Sequence, residues 1–157
     1  MSAAIFLPTS QKGGSGGTAF DELADYPQIV NYRLVNINYW TNNTILRGIQ
    51  LEWESPHGEI FTGNTHGTST GTFGSLTLNR RERIITMTGR ASDRVNALTL
   101  ITNQGNSVNF GGNGGTPFQW VISFTDYPNV AFHHFTGKSG LDVDALEAIF
   151  VAENPVN

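Results

Sequence analysis

The sequence repeats itself three times, and no other feature restricts its fold as much. Arg47-Gly-Ile-Gln-Leu51, Asn96-Ala-Leu-Thr-Leu100 and Asp144-Ala-Leu-Glu-Ala148 start at nearly even intervals, and in each the opening polar residue is followed by a small one and then by Ile or Leu. A second series keeps step with the first: Gly17-Thr-Ala-Phe20, Gly71-Thr-Phe73 and Gly115-Thr-Pro-Phe118. Its first and last members follow glycine-rich runs, Gly13-Gly-Ser-Gly-Gly17 and Gly111-Gly-Asn-Gly-Gly115. A repeat of about 50 residues is one supersecondary unit, and a unit that cannot bury its apolar face alone must stack on its neighbours. Three units therefore predict a pseudo-threefold assembly of small sheets, a three-sided β-prism.

The units are all-β. Leu34-Val-Asn-Ile-Asn-Tyr39, Ile49-Gln-Leu-Glu-Trp53, Ser75-Leu-Thr-Leu78, Ile84-Ile-Thr-Met87, Ala97-Leu-Thr-Leu100 and Asn129-Val-Ala-Phe-His-His134 read as strands with one face inward, and the 18 glycines supply tight turns between them. No segment carries a convincing helical period. Residues 142–151, the weak candidate, are assigned to a strand because their repeat partners are strands and Val143, Ile149, Phe150 and Val151 favour one.

At 157 residues the chain is one domain's worth and large enough for a core without metal or disulfide staples; it has no cysteine. Nine Lys and Arg against thirteen Asp and Glu leave a net charge of −4, which argues against nucleic acid or an anionic membrane as the main partner. The basic cluster Arg80-Arg-Glu-Arg83 reads as a solvated turn. No apolar run approaches the roughly 20 residues of a membrane span, and Ile5-Phe-Leu-Pro8 is too short for the apolar region of a secretory signal. No membrane insertion and a cytoplasmic location are expected.

The candidate site lies in Gly137-Lys-Ser-Gly-Leu-Asp-Val-Asp-Ala-Leu146. A tight turn at Gly140, using dihedrals that only glycine adopts freely, would turn the amides of Leu141 and Asp142 outward, with the Asp144 carboxylate facing the same small space. Two backbone donors beside a carboxylate that accepts charge-assisted bonds suit a ligand rich in hydroxyls, such as a sugar.

Gly13-Gly-Ser-Gly-Gly-Thr-Ala-Phe-Asp-Glu22, then Thr102-Asn-Gln-Gly105 with Phe110-Gly-Gly-Asn-Gly-Gly115, then Gly137-Lys-Ser-Gly140 with Asp144-Ala-Leu146 resemble, in this order, the jacalin-related lectins over residues 13–151. The resemblance implies the β-prism I fold: three four-stranded antiparallel sheets with pseudo-threefold symmetry. It implies a lectin domain of residues 13–157 after an extension of residues 1–12, either a disordered lead or a strand added to the prism or to a second subunit. It also implies sugar binding without metal or other cofactor, between the first glycine-rich loop and a Gly-x-x-x-Asp pattern met by residues 140–144. Gly17 would let the first loop approach the sugar, the Leu141 and Asp142 amides would donate, Asp144 would accept from two hydroxyls, and the Asp142 side chain would add a rim contact. Galactose-preferring members have a cleaved chain beside the site. Here Gly17 is internal, so the implied partners are mannose- or glucose-type glycans and glycoproteins, with galactose if the N-terminus is processed.

The other repeats carry Asn43 and Ser92 at the Gly140 position, and Arg47 and Asn96 at the Asp144 position. Arginine only donates and asparagine lacks the charge, so one site per chain is expected, and cross-linking would need a homodimer or higher oligomer. Arg94 is a candidate contact for a longer glycan. Two rivals remain. Asp142 and Asp144 could be the carboxylate pair of a glycoside hydrolase, which needs a separation of roughly 5 to 9.5 Å and one raised pKa, but an exposed turn offers no apolar pocket, so the chain is read as not an enzyme. The other is a prism that has lost sugar binding and serves as an interaction module. Gly137-Lys-Ser139 is not a phosphate loop, because Phe132 stands where its first glycine belongs. His133 and His134, adjacent on a strand, are expected on opposite faces, with His57 and His66 on separate loops, so no zinc site is expected. Trp40, Trp53 and Trp120 are read as core or sheet-edge packing.

Overall fold

The computed structural model describes residues 3–123 and 125–154. Its strands form three antiparallel sheets. The first runs in the order β1 (Ala3–Pro8), β14 (Val143–Asn154), β13 (Ala131–Ser139), β3 (Thr18–Asp21), with the two-residue β2 (Lys12–Gly13) also on β14. The second is β11 (Ser107–Gly111), β10 (Val95–Thr102), β9 (Ile84–Ala91), β12 (Thr116–Val121). The third is β6 (Ile60–Thr62), β5 (Leu46–Glu54), β4 (Arg33–Thr41), β8 (Thr72–Thr77), with β7 (His66–Gly67) on β5. Each sheet is thus four strands deep along its main path, and two gain a short extra strand. Residues 142–151 lie in the β13–β14 turn and β14, as their strand assignment requires.

The extension predicted for residues 1–12 resolves into a strand of the same chain. β1 pairs with β14 from Ala3↔Asn154 to Pro8↔Ile149, and Ile5 and Leu7 pack against the core. Residues 1, 2 and 155–157, which that reading also covered, lie outside the described residues. Sequence periodicity missed two short turns of helix, Glu22–Asp25 and the 3-10 turn Pro27–Asn31. Their signals were local: the Asp21 side chain accepts from the amides of Leu23 and Ala24, and Pro27 opens the second.

Alternation explains the interior. Ile37 and Tyr39 of β4, Leu51 and Trp53 of β5, Leu98 and Leu100 of β10, and Phe135, Leu146 and Phe150 of the first sheet point inward and are buried. Trp53 Nε1 donates to the His133 carbonyl at 2.9 Å and Trp120 Nε1 to the Ser10 carbonyl at 2.8 Å, so neither buried indole is left unpaired. Trp53 and Trp120 are core residues, as expected; Trp40 lies on the outer face of its sheet beside Phe73.

Each sheet is built on one long hairpin, β4–β5, β9–β10 or β13–β14, and each hairpin slips register at the same place. Thr41 faces Leu46 but Trp40 faces Gly48, Ala91 faces Val95 but Arg90 faces Ala97, and Ser139 faces Val143 but Lys138 faces Ala145. The extra residue of each β-bulge is Arg47, Asn96 and Asp144. These are the opening residues of the three sequence repeats. A bulge re-aims the side chain it carries, and here it takes that side chain out of the ladder at the hairpin end.

Candidate functional site

A five-residue loop lies over each bulge. Residues 13–17, 67–71 and 111–115 begin and end with glycines at positive φ: +128° and +79° at Gly13 and Gly17, +89° and +104° at Gly67 and Gly71, +111° and +82° at Gly111 and Gly115. The amide after the first glycine donates to the bulge carbonyl at 2.9 Å each time: Gly14 to Asp144, Thr68 to Arg47, Gly112 to Asn96. The backbone frame is threefold. What differs is the side chain beneath each loop.

Asp144 is 4% exposed, with the 13–17 loop against its carboxylate. A Cβ at Gly17 would stand 2.7 Å from Asp144 Oδ1 and 2.9 Å from the Ser139 carbonyl, and one at Gly16 would stand 3.0 Å from Oδ2. Only glycine lets backbone come this close to the carboxylate. Gly140 differs from the expectation: its φ is not positive, and a Cβ there would meet only Asp144 Oδ1 and Gly17 Cα, both at 3.9 Å. Its lack of a side chain keeps open the space above Oδ1 and is not needed for the turn itself, which closes through Gly140 N–H donating to the Asp142 carbonyl at 3.0 Å.

Leu141 sits at the tip, 79% exposed, its carbonyl held by the Thr68 hydroxyl at 3.0 Å. Among the described residues no protein acceptor takes the Leu141 or Asp142 amide. Gly17 and Gly140 thus stand beside the Asp144 carboxylate, and the Leu141 and Asp142 amides lie on the turn between Gly140 and Asp144.

The Asp142 side chain is not a free rim contact. Arg47 Nε approaches its Oδ1 at 2.7 Å, though not aligned as a hydrogen bond, and Arg94 Nε lies 3.6 Å from its Oδ2. Arg94 also sets Nη1 3.3 Å from Asp144 Oδ2 and 2.9 Å from the Asp93 carbonyl. Bulge residue Arg47 of the first repeat and turn residue Arg94 of the second thus both reach the third repeat's turn. The sequence marked Arg94 as a possible glycan contact and Arg47 as a residue that can only donate; their pairing with the two aspartates is set by the threefold packing and has no local signal.

The second repeat's site is closed on itself. Asn96, 5% exposed, accepts from the Ser92 hydroxyl at 2.9 Å and donates to the Thr44 carbonyl at 3.3 Å. At the first repeat's bulge the side chain is Arg47, which has no acceptor and is turned toward Asp142.

Two histidine expectations are corrected. A further register slip lies between Phe132 and His134, so His133 is itself a bulge residue and the strict alternation of faces fails. Both rings are buried and their Nδ1 atoms are 2.8 Å apart, with His133 Nε2 at 3.1 Å from the Tyr32 carbonyl. Burial pushes His133 down to about 4 and His134 to about 3, which keeps both rings neutral. His66 lies on β7, not a loop, stacked on Phe20 and 3.0 Å from the Glu22 carboxylate, which also accepts from Phe135 N–H at 2.8 Å. Burial raises the Glu22 carboxyl above the usual range, and the His66 and Phe135 hydrogen bonds partly oppose it. Among the described residues no group of three His, Cys, Asp or Glu is placed to hold a metal ion. The Arg80-Arg-Glu-Arg83 turn is solvated at Arg80 and Arg81, but Glu82 is buried and accepts from Thr102 and Asn106.

The jacalin-like lectin domain family model matches residues 9–149. The chain belongs to that family. Among curated proteins it resembles rat zymogen granule membrane protein 16, 24% identical over 138 residues that cover 88% of this chain and 76% of the rat protein. Among solved structures it resembles a mannose-binding jacalin-related lectin from Ananas comosus (TM-score 0.75, 21% identity, 92% of this chain and 96% of that one). It also resembles wild-type Malaysian banana lectin (0.75, 24%, 94% and 98%) and a mannose-specific jacalin-related lectin from Morus nigra in complex with mannose (0.73, 24%, 96% and 96%). The fold shared with these jacalin-like lectins is the β-prism that the three repeats predict.

Proposed function

We propose that this chain is a metal-independent lectin with one site per chain for mannose- or glucose-type sugars. The observation that carries the reading is Asp144: a bulge residue whose carboxylate lies under the 13–17 loop, with the space above Oδ1 kept open at Gly140. Its Oδ1 would accept from a sugar hydroxyl, Oδ2 would share its remaining acceptor capacity between Arg94 and a second hydroxyl, and the Leu141 and Asp142 amides would donate to ring and exocyclic oxygens. The solved relatives described as mannose-binding support mannose over galactose, as does the internal position of Gly17; removal of residues 1–16 would favour galactose instead. A hydrolase is not favoured: Arg94 lies beside both carboxylates and Arg47 beside Asp142, so the pair lacks the apolar surroundings that a general acid of this class needs.

The test is a titration of isotope-labelled protein with methyl α-mannoside, with and without EDTA. Amide shifts centred on Gly17, Leu141 and Asp142, unchanged by EDTA and weaker with methyl α-galactoside, are expected. Shifts confined to other residues would contradict the site, and none with either sugar would favour an interaction module.

A further inference from the structure

The outer face of the third sheet carries a pattern that the loop site does not use. Trp40 and Phe73 are cross-strand partners with ring centroids 5.3 Å apart and tilted by 51°, and Phe73 is 57% exposed. Two rows follow on the same face, Asn38 opposite Gln50 and Asn36 opposite Glu52. The fold does not demand the aromatic pair. At the positions equivalent by register, the other sheets carry Arg90 opposite Pro117 and Lys138 opposite Ala19.

The polar rows are fixed in one arrangement. Asn36 Nδ2 donates to Glu52 Oε2 at 2.6 Å and to Asn38 Oδ1 at 2.9 Å, while Asn38 Nδ2 donates to Gln50 Oε1 at 3.1 Å and to Glu52 Oε2 at 3.2 Å. Both hydrogens of each asparagine amide are thereby consumed inside the network. Asn36 Oδ1 also accepts from the Thr77 hydroxyl at 2.8 Å and Glu52 Oε1 from the Thr62 hydroxyl at 3.1 Å, so what remains for a ligand is mostly the second acceptor position on Asn36 Oδ1, Gln50 Oε1 and Glu52 Oε1. A partner that fits must bring an apolar face for the rings and O–H donors for the row, and must not be anionic beside Glu52. Pyranose rings meet all three conditions: their C–H faces lie on aromatic side chains while their hydroxyls donate at the edge. From Trp40 to Asn36 the strand spans about 14 Å at roughly 3.4 Å per residue, longer than a single sugar ring. Side chains already held in place also lose little freedom on binding.

We propose that this sheet face is a second carbohydrate-binding surface, which takes a neutral oligosaccharide along Trp40, Phe73 and the Asn38-to-Glu52 rows. It is separate from the loop site, so it is tested in the full chain carrying Asp144→Ala, which silences that site. Trp53 and Trp120 are 0% and 1% exposed, so Trp40 is the indole whose emission reports a ligand here. Titration with mannopentaose and with cellopentaose should give a saturable change in tryptophan emission with at least one of them. Adding Phe73→Ala, at an exposed position that the fold tolerates, should weaken that binding at least tenfold, and Glu52→Gln should also weaken it. The proposal is overturned if neither pentasaccharide changes the emission, or if the binding survives Phe73→Ala. It is equally overturned if sedimentation shows a concentration-dependent dimer that Phe73→Ala dissolves, since the face would then join two copies of the chain.

Discussion

Gly17 and Gly140 flank the same carboxylate for different physical reasons, and two alanine substitutions separate them. Gly17 has φ +79° and no room for a Cβ, so Gly17→Ala should cost about 1–2 kcal/mol for the left-handed backbone and should also cut methyl α-mannoside affinity at least tenfold. Gly140→Ala meets nothing closer than 3.9 Å, so its urea midpoint should stay near wild type while its affinity falls, because the new methyl covers Asp144 Oδ1. Urea denaturation beside calorimetric titration checks both. A third residue tests the interior. Glu22 is fully buried, is hydrogen-bonded to His66 Nε2 and accepts from Phe135 N–H, so Glu22→Ala strands two partners and should lower unfolding free energy by about 3 kcal/mol. At this scale the repeat positions and the resemblance together foretold that the first glycine-rich loop lies against Asp144, and nothing local foretold that Arg47 reaches Asp142 across the axis between repeats. Sequence reading also misjudged why Gly140 is glycine, because absence of a side chain and freedom of φ look the same in a sequence.

Elements were legible where a period of two held over most of a strand, as in β4 despite its slip between Leu34 and Asn36, but which way a side chain faces was not legible at a slip itself. The alternation in β4, β5 and β10 was read correctly, but a bulge adds one residue without changing the composition, so the shared burial of His133 and His134 could not be seen. That bulge has a consequence in acid. An unfolded histidine titrates near 6.5, whereas the folded rings hold no proton until about pH 4 and about pH 3, so below about pH 6.5 the unfolded chain binds more protons and stability falls. Between pH 7 and pH 5 each ring should withdraw about 2 kcal/mol from unfolding free energy. Glu22 acts with the opposite sign, since its raised carboxyl takes up a proton in the folded state first. Urea titrations at pH 7, 6 and 5 should therefore show a loss that His134→Phe flattens; an equal slope in both proteins would contradict the assignment. The N-terminal strand is the other element whose state the sequence left open. β1 covers the edge of β14, and Phe6 stacks near His133 and His134 at 5.2 and 5.7 Å, so deleting residues 1–8 should lower the melting temperature and bare a long edge strand that self-associates on heating.

Across the whole molecule, the backbone is threefold and the chemistry is not. Three loops with paired positive-φ glycines lie over three bulges, and the bulge side chains beneath them differ: Arg47, Asn96 and Asp144. Asn96 is satisfied by Ser92 and Thr44, and Arg47 is turned toward Asp142, which leaves Asp144 as the one carboxylate under a glycine loop. The repeats made the prism legible because their spacing is a property of the whole chain. The placement of Arg94 beside both Asp142 and Asp144 was not legible, since it arises between repeats and leaves no local pattern. The central claim is that this single carboxylate gives one loop site per chain for a monosaccharide. Isothermal titration of the wild-type chain and of Asp144→Ala with methyl α-mannoside tests it most directly. The account predicts saturation near one sugar per chain, abolished by the substitution in a protein that still melts cooperatively; a stoichiometry near two, or binding that survives Asp144→Ala, would contradict it.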